Sequence, residues 1–497
     1  MLVIMKKLIN VVLMAGMVAM GLTISSCNKD NPQTPETPET PETPEQTKAK
    51  YTIMFYGCGG GDIDIQLEGA LEDAVKALSV EKNQVRYTVM YNMSASSKEF
   101  QSTYRGEPGK TYRYELSKDT DLTQAGYRSK YFYKNASEVE LYKASTLVDF
   151  IKWSVETAPA ENYIIEFVNH GGGFDLGTEV LTKGIAYDDN HKDQYGNGKG
   201  IAICTIADAL KTAGVHMKAI YWNGCMMGQL EVLTEVAPYC DYQFSSSHVA
   251  FADDNHVLKI IDAINAQPDD FEKAALEHKN LMVGKGDTDA SSFTYYYKNY
   301  YKDGKHILMN GDYGCWRSAK LAAIGEQVKK LGAFLVKVYN PESEKPNVDY
   351  ATSWVYLYEM SYGYADVLDY AQNVADAVGD AALKAEAQTI AADLKKALAD
   401  ANVYRINCEN IKSADDKLVT TKEGGFSLGI SLYAGQRKDD WQYAYYSANY
   451  KASAFDKATE WSKWMDINEF RVSSDDEHPN LTNPGNDAAW ELFWLGE

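Results

Sequence analysis

Two glycine-containing loops, each directly after a short apolar run, place the strongest constraint on how this chain folds. The runs at residues 163–168 and 217–222 are short and rich in β-branched or aromatic residues, which indicates buried strands. The first run ends at the loop 169–173 (Asn-His-Gly-Gly-Gly) and the second at the loop 223–227 (Asn-Gly-Cys-Met-Met). Two strands of this kind, each stopped by Asn and Gly, predict an α/β fold.

A helix is predicted between the two strands. Residues 205–213 place their apolar side chains on one face, with Thr205 as the predicted N-cap and Gly214 as the end of the helix. A strand-helix-strand unit normally joins parallel strands, so both loops should emerge at the same edge of the sheet. We therefore expect His170 and Cys225 to be neighbours although 55 residues separate them.

A neighbouring histidine and cysteine suit nucleophilic catalysis. A histidine or a helix N-terminus favours the thiolate, and residues 226–236 have a helical pattern that would place Cys225 at a helix N-terminus. The N–H groups of Gly171 and Cys225 are the candidate oxyanion hole. Taken singly, Cys225 is more typical of a buried hydrophobe and His170 of a structural residue. The joint pattern favours a catalytic pair, and His248, which lacks a glycine loop, ranks second as the base.

These motifs resemble those of the clostripain family of cysteine peptidases, which share a caspase-like fold with caspases, gingipains and separase. The segment 169–174 resembles the family's Asn-His-Gly-Ser-Gly-Trp loop, and 224–231 resembles its Ala-Cys-Leu-Met-x-x-x-Glu segment. Weaker matches follow in the same order at 184–189, 364–371 and 429–433. The resemblance covers most of residues 50–470. It implies a Cys/His endopeptidase that acts on peptides or proteins and needs no cofactor.

The resemblance is incomplete at the substrate pocket. The family usually has an aspartate two residues before the nucleophile, where it contributes to an acidic pocket for Arg or Lys, but this chain has Asn223. The resemblance places further pocket residues after residue 246, so Asp253 or Asp254 is the candidate replacement for the missing acid. Cleavage after Arg or Lys is therefore an open expectation, whereas catalysis is supported by the motifs.

The N-terminus has the pattern of an exported lipoprotein. Lys6 and Lys7 precede an apolar stretch at residues 8–24, and Ile-Ser-Ser-Cys at 24–27 resembles a lipobox. We expect residues 1–27 to be a signal peptide, Cys27 to be acylated, and the lipid to anchor the protein in the membrane. Residues 28–49, which contain a Thr-Pro-Glu repeat at 34–45, should form an extended tether. The expected location is the outer membrane or cell surface of a Gram-negative bacterium.

The remaining chain predicts a mostly parallel caspase-like sheet with helices on both faces and a C-terminal α/β extension. A strand, a helix and a strand at 51–56, 65–78 and 86–91 form an opening βαβ unit. We assign the catalytic core to residues 50–255 and a subdomain packed on that core to 256–497. The further predicted elements are helices at 137–157, 318–338 and 452–465, a helix contained within 357–377, and strands at 241–246 and 427–433.

Composition limits the partners. The net charge of −21 argues against nucleic acid and anionic surfaces as partners. The seven cysteines have neither paired nor metal-binding spacing, so no metal site is predicted. An exported chain allows disulfides among Cys58, Cys204, Cys240, Cys315 and Cys408 with Cys225 left free, but a chain with this much core predicts no obligatory disulfide framework. Residues 188–198 are acidic and predicted to be an exposed loop, where calcium binding is conceivable because oxygen ligands are plentiful. We expect a monomer.

An alternative function is a non-catalytic surface lipoprotein that binds glycan or protein on a peptidase-like scaffold. The chain has 36 tyrosines, and the run at residues 295–301 would suit such binding if exposed. The family resemblance also implies maturation by a cut between the histidine and the cysteine, with Lys183, Lys192 and Lys199 as candidate positions.

Overall fold

The structure is a computed structural model of the 497-residue chain. The chain divides into two units, Met1–Thr47 and Lys48–Glu497, and all residues described below belong to the second. They are residues 48–60, 63–95, 105–174, 184–193, 196, 198–247, 256–284, 312–338, 354–357, 360–407, 430–433 and 450–467.

Fourteen strands are present in these described residues, and nine of them form one sheet in the order β13-β10-β9-β8-β5-β1-β2-β3-β4. The strands are β1 (Ala49–Gly57), β2 (Val85–Asn92), β3 (Lys110–Leu116), β4 (Phe132–Asn135), β5 (Ala160–Val168), β6 (Ile185–Lys192), β7 (Gly198–Ile201), β8 (Met217–Asn223), β9 (Cys240–Ser245), β10 (Asp312–Arg317), β11 (Trp354–Leu357), β12 (Met360–Asp366), β13 (Asn402–Asn407) and β14 (Ser431–Tyr433).

The centre of the large sheet is parallel. Strands β9, β8, β5, β1 and β2 run in the same direction, whereas β3, β4, β10 and β13 join the two edges in antiparallel orientation. In the middle of the sheet Ile164 lies beside Ile53 on one side and Ala219 on the other. The prediction of a mostly parallel α/β sheet is confirmed.

Twelve α-helices accompany the strands in the described part of the chain. They are α1 (Asp64–Leu78), α2 (Gln124–Lys130), α3 (Ala144–Thr157), α4 (Ile203–Ala213), α5 (Leu230–Val236), α6 (His256–Ala266), α7 (Phe271–Val283), α8 (Leu321–Val338), α9 (Val367–Ala377), α10 (Ala381–Ala401), α11 (Ala454–Thr459) and α12 (Ser462–Ile467). None of these helices combines the length and the apolar character needed to cross a bilayer.

Helices cover both faces of the sheet, because alternate residues of each central strand point in opposite directions. On one face Phe167 and Trp222 pack with residues of α3, α4 and α5. On the other face Ile164 and Tyr221 pack with residues of α1, α6 and α7. Burial on both faces explains why the central strands read as continuous apolar runs rather than alternating ones.

The C-terminal part of the chain extends both the sheet and the core. Strands β10 and β13 lengthen the large sheet beyond β9, and buried residues of α8, α9 and α10 belong to the same apolar cluster as Phe167 and Trp222. A separate antiparallel sheet has the order β11-β12-β14. The division of the unit at residue 255 stays a prediction.

Several predicted boundaries differ from the observed ones. The helix expected within 357–377 is confirmed as Val367–Ala377; it begins where the Asp366 side chain accepts hydrogen bonds from Leu368 N and Asp369 N, and β12 precedes it. The helix expected at 452–465 is divided at Glu460, which has a φ of 56°. The predicted N-cap Thr205 lies inside α4, which begins at Ile203 and ends as expected at Gly214.

Candidate active site

The two predicted loops lie side by side at the ends of adjacent parallel strands. Strand β5 pairs with β8 so that Val168 lies beside Asn223. The contact continues past the strands, because Asn169 N donates to the Asn223 carbonyl oxygen at 3.3 Å. His170 and Cys225 therefore follow neighbouring strand ends, and both are partly exposed to solvent. The two loops are neighbours in space, as expected.

The loops touch through their main chains, and this close approach requires glycine. A Cβ atom on Gly171 would overlap the Cys225 carbonyl oxygen and would lie 2.8 Å from Cys225 N. A Cβ atom on Gly224 would lie 2.9 Å from the Asn169 carbonyl oxygen and 3.2 Å from Gly171 N. Real Cβ atoms do not come this close to backbone atoms, so a side chain at either position would push the loops apart.

Asn169 connects the histidine loop to the neighbouring parts of the sheet edge. Its side chain is buried, and Nδ2 donates to the Cys58 carbonyl oxygen at the end of β1 and to the Tyr187 carbonyl oxygen at 3.3 Å. Cys58 N in turn donates to the Val168 carbonyl oxygen at 3.3 Å. The residue before His170 is thus fixed from two sides, which restricts the position of the histidine.

The segment between the two loops contains a hairpin rather than the exposed loop that its composition predicts. Strands β6 and β7 pair antiparallel, and Gly172 N donates to the Gly184 carbonyl oxygen at 2.7 Å. Asp188 is completely buried, and its carboxylate accepts from Asn92 Nδ2 at 3.0 Å and contacts His191 Nδ1 at 2.7 Å. The expectation of exposure is wrong for Asp188, because these partners replace its hydration.

Burial raises the pKa of the Asp188 carboxyl, and the hydrogen bonds from His191, Asn190 and Asn92 partly oppose that shift. Within the residues that the structure describes, no group of three or more His, Cys, Asp or Glu side chains is arranged to hold a metal ion. Residues 194, 195 and 197 of the acidic segment lie outside the described residues. Calcium binding by this segment stays a prediction.

The predicted helix does not begin at the nucleophile. Met226 has a φ of 61°, which is left-handed and incompatible with a continuing α-helix, and α5 starts only at Leu230. The intervening turn is held by Gly228 N, which donates to the Ser246 carbonyl oxygen at 2.7 Å. The expectation that Cys225 lies at a helix N-terminus is therefore wrong, and a helix dipole does not act directly on its thiol.

Gln229 is a site residue that the sequence does not reveal. Its fully buried side chain accepts a hydrogen bond from Phe174 N at 2.6 Å through Oε1. A Cβ atom on Gly173, which has a φ of 78°, would overlap the Gln229 side chain. Gln229 thus ties the end of the histidine loop to the segment that follows the cysteine. No spacing or composition signal marks a glutamine for this role.

Cys225 is the cysteine best placed to act as a nucleophile among those described. Cys58, Cys204, Cys225, Cys240 and Cys315 are all thiols. Burial raises the pKa of Cys204, raises that of Cys240 to about 12, and raises those of Cys58 and Cys315 well above the usual range. These four thiols therefore remain protonated and poorly reactive at neutral pH. Cys27 and Cys408 lie outside the described residues.

Asn223 has a buried partner in the structure. Its side chain is only 5 % exposed, and Nδ2 donates to Glu166 Oε1 at 3.2 Å. Glu166 interrupts the apolar run of β5, a signal that is visible in the sequence, and it is itself 1 % exposed. The other proposed pocket residues, Asp253 and Asp254, and the alternative base His248 lie outside the described residues.

The chain is similar to known proteins along most of its length. The family model described as the clostripain family matches residues 70–468. Clostripain from Hathewaya histolytica is 25% identical over 236 residues, and the match covers 44% of this chain and 42% of that relative. The chain thus aligns with less than half the length of this curated protein.

Solved structures show a similar fold. A secreted C11 cysteine protease from Bacteroides thetaiotaomicron, called iotapain, is 15% identical with a TM-score of 0.53, over 83% of this chain and 99% of that one. A secreted C11 cysteine protease from the same organism, in complex with an irreversible peptide inhibitor, has a TM-score of 0.54 at the same identity and coverage. An inactive zymogen C11 protease from Parabacteroides distasonis, also 15% identical, has a TM-score of 0.52 over the same shares.

At these identities the solved structures establish the fold, and the family model, which matches most of the chain, establishes the family. The chain therefore belongs to the clostripain family.

Proposed function

We propose that this protein is an exported, membrane-anchored cysteine endopeptidase in which Cys225 is the nucleophile and His170 the general base and acid. The observation that carries the proposal is the main-chain contact between the Gly171 and Cys225 loops at the ends of two adjacent parallel strands. This contact puts a histidine and a cysteine at one sheet edge, where α/β proteins hold their active sites. Membership of the clostripain family supports the same assignment.

The proposed reaction proceeds in two stages. His170 removes the proton from the Cys225 thiol, and the sulfur attacks the carbonyl carbon of the scissile peptide bond. The Gly171 and Cys225 N–H groups stabilise the negative oxygen that develops. His170 then donates its proton to the departing amine, which leaves a thioester on Cys225. Water, deprotonated by His170, hydrolyses the thioester and restores the thiol.

The proposed substrate is a peptide or protein with Arg or Lys before the scissile bond. Asn223 carries no charge, and its amide is engaged by Glu166, so a preference for a basic residue requires another acid. We assign this role to Asp253 and Asp254, which follow β9 in the sequence beside the nucleophile strand. Activity is to be measured with and without calcium, because the acidic segment at 188–198 is the candidate calcium-binding segment.

The proposed location is the outer membrane or cell surface. Acylation of Cys27 within its lipobox would anchor the chain, and the Thr-Pro-Glu repeats would hold the peptidase away from the bilayer. Iotapain, which has a similar fold, is described as a secreted protease. This description supports the proposal that the present chain is also exported. The function is that of a monomeric peptidase tethered by lipid.

Replacement of the nucleophile is the first test. Cys225→Ala should lower turnover of a proteome-derived peptide library by at least about 10⁴-fold, because no other described thiol lies in the loop pair. New peptide termini identified by mass spectrometry, with calcium and with EDTA, are the measurement. Cys204→Ala, which removes a half-buried thiol on α4, is the matched control and should retain activity. Equal cleavage by Cys225→Ala and wild type would contradict the mechanism and favour the non-catalytic binding alternative.

The close contact of the loops predicts a sensitive glycine. Gly171→Ala should lower kcat by about 10²-fold, since its Cβ atom would overlap the Cys225 carbonyl oxygen and displace the reacting groups. Gly69→Ala is the control, because a Cβ atom there meets nothing within 4 Å. Steady-state kinetics on one fluorogenic peptide compares the three proteins. A Gly171→Ala enzyme with wild-type kcat would show that the loop contact is not needed for catalysis.

The substrate assignment is tested by removing the two candidate acids. The double variant Asp253→Asn, Asp254→Asn should raise KM for Arg and Lys peptides by about tenfold or more, because an attractive charge pair is lost. KM for peptides with a neutral residue at the same position should stay constant. An equal rise in KM for both peptide classes, or cleavage by wild type without a preference for Arg and Lys, would refute the basic preference. Asn223 would then be the residue that determines substrate specificity.

Membrane anchoring depends on Cys27. The wild-type protein, expressed in a Gram-negative host, should partition into the detergent phase of a Triton X-114 extract, because a diacylated N-terminus is strongly apolar. Cys27→Ser should partition into the aqueous phase. A wild-type protein found in the aqueous phase would disprove the lipid anchor without affecting the peptidase assignment.

A further inference from the structure

A buried carboxyl group lies beneath the two catalytic loops. Glu166 lies on β5, four residues before His170 in the sequence, and is 1 % exposed. In the described part of the chain its hydrogen-bond partners are neutral: Asn223 Nδ2 donates to Oε1 and the Tyr87 hydroxyl donates to Oε2, each at 3.2 Å. A carboxyl group buried without a cation is expensive to ionise, so its presence here calls for a reason.

Asn223 is the residue through which this carboxyl reaches the nucleophile. It ends β8 two residues before Cys225, and its carbonyl oxygen accepts from Asn169 N at 3.3 Å. Its side-chain Nδ2 donates to Glu166, whereas Oδ1 is buried and has no hydrogen-bond partner among the described residues. Asn223 thus joins the cysteine strand to the histidine strand through its main chain and its side chain.

The protonation state of Glu166 complements the unpaired oxygen of Asn223. Burial raises the pKa of Glu166 to about 8, although the hydrogen bonds from Asn223 and Tyr87 oppose the shift. At neutral pH the group is therefore a carboxylic acid with one proton to donate. A carboxylic acid can donate its proton to the amide oxygen while it accepts from one of the two amide N–H groups, so a small rotation lets the two groups form a cyclic pair.

We propose that Glu166 is a positioning residue whose neutral carboxyl pairs with both polar atoms of the Asn223 amide and holds Cys225 against the His170 loop. This inference rests on the proposed function. When the carboxyl releases its proton to solvent, Asn223 Oδ1 loses its donor and a negative charge appears below the nucleophile. The negative charge opposes the thiolate, because a nearby like charge disfavours ionisation of the thiol.

The surroundings of Glu166 do not offset this charge. Phe55 of β1 and Tyr221 of β8 lie beside it in the sheet, and burial raises the pKa values of Tyr221 and Tyr87 well above the usual range. His278 of α7 contacts Tyr221, with Nε2 at 3.4 Å from the hydroxyl.

The acidic groups that α1 buries on this face of the sheet have partners of their own. Glu68 accepts from the Tyr91 hydroxyl at 3.2 Å and from Arg105 N at 2.7 Å. The carboxylate of Asp64 accepts from Ser94 N at 3.3 Å. Ionisation of Glu166 is therefore the change that we expect to act on Cys225 between about pH 7 and 9.

The test compares alkylation of Cys225 by iodoacetamide in wild type and in Glu166→Gln across about pH 6 to 9.5. Glutamine keeps the shape and both hydrogen-bonding functions but cannot ionise. The ratio of the variant rate to the wild-type rate should rise by about threefold from about pH 6 to pH 9, because a change of about one unit in pKa alters the thiolate fraction of an ordinary thiol by about this factor near pH 9. The Cys225→Ala protein supplies the background from other thiols.

Glu161→Gln is the matched control, because Glu161 lies on the same strand with a 52% exposed side chain. Its rate ratio should stay constant with pH. A constant ratio for Glu166→Gln as well would overturn the proposal, since a merely structural residue changes the rate equally at every pH.

A second measurement separates positioning from substrate contact. Asn223→Ala removes the partner of Glu166 and should lower kcat by about tenfold with KM unchanged for basic and neutral peptides alike. A rise in KM confined to Arg and Lys peptides in Glu166→Gln would instead make Glu166 a substrate-binding acid and overturn the positioning role. Alkylation needs no turnover, so a protein with the expected ratio but no cleavage would refute the peptidase function and leave this coupling intact.

Discussion

The main-chain contact between two glycine-containing loops is the constraint on which the site depends. Strands β5 and β8 are hydrogen-bonded neighbours that end at the same level, so the residues that follow them meet directly. They can meet this closely only because positions 171 and 224 carry no side chain. The proposed reacting groups are thus positioned by the ends of two paired strands, a more precise support than loops alone.

Secondary contacts hold each loop from the opposite side. The β6–β7 hairpin is bonded to the histidine loop through Gly172 and Gly184, and Gln229 binds the end of that loop at Phe174. The turn after Cys225 is bonded to Ser246 at the end of β9 and, through the Gly228 carbonyl oxygen, to Ser431 N at the start of β14. Because β14 comes from the far end of the chain, the site is complete only when the C-terminal region has folded.

The parts of the fold that depend on local pattern can be predicted from the sequence. Buried parallel strands give continuous apolar runs, and the Asn and Gly residues that end them are enough to predict His170 and Cys225 at one sheet edge. The start of α5 cannot be predicted in this way, because the turn after Met226 is held by a hydrogen bond to Ser246, a partner distant in sequence. The burial of Asp188 has the same kind of cause, since its acidic sequence neighbours are typical of a solvated loop.

The roles of Gln229 and Glu166 could not be predicted from spacing. Gln229 accepts a hydrogen bond from Phe174 N, 55 residues earlier in the chain, and no positional preference of glutamine predicts such a bond. Glu166 is conspicuous as a charged residue in an apolar strand, but its partners lie on β8 and, across β1, on β2. Local pattern therefore identifies the proposed reacting residues, whereas the residues that support them depend on which strands become neighbours.

The pairing of β5 with β8 holds these two strands together independently of the chain segment that links them. The chain that links the two strands passes from Phe174, fixed to Gln229, to Gly184, whose carbonyl oxygen accepts from Gly172 N. Both ends of the interval 175–183, which includes the predicted cut position Lys183, are thus anchored to the site itself. If a peptide bond in that interval were hydrolysed, the two resulting polypeptides would still share one sheet and one core. Two chains would then behave as a single folded body.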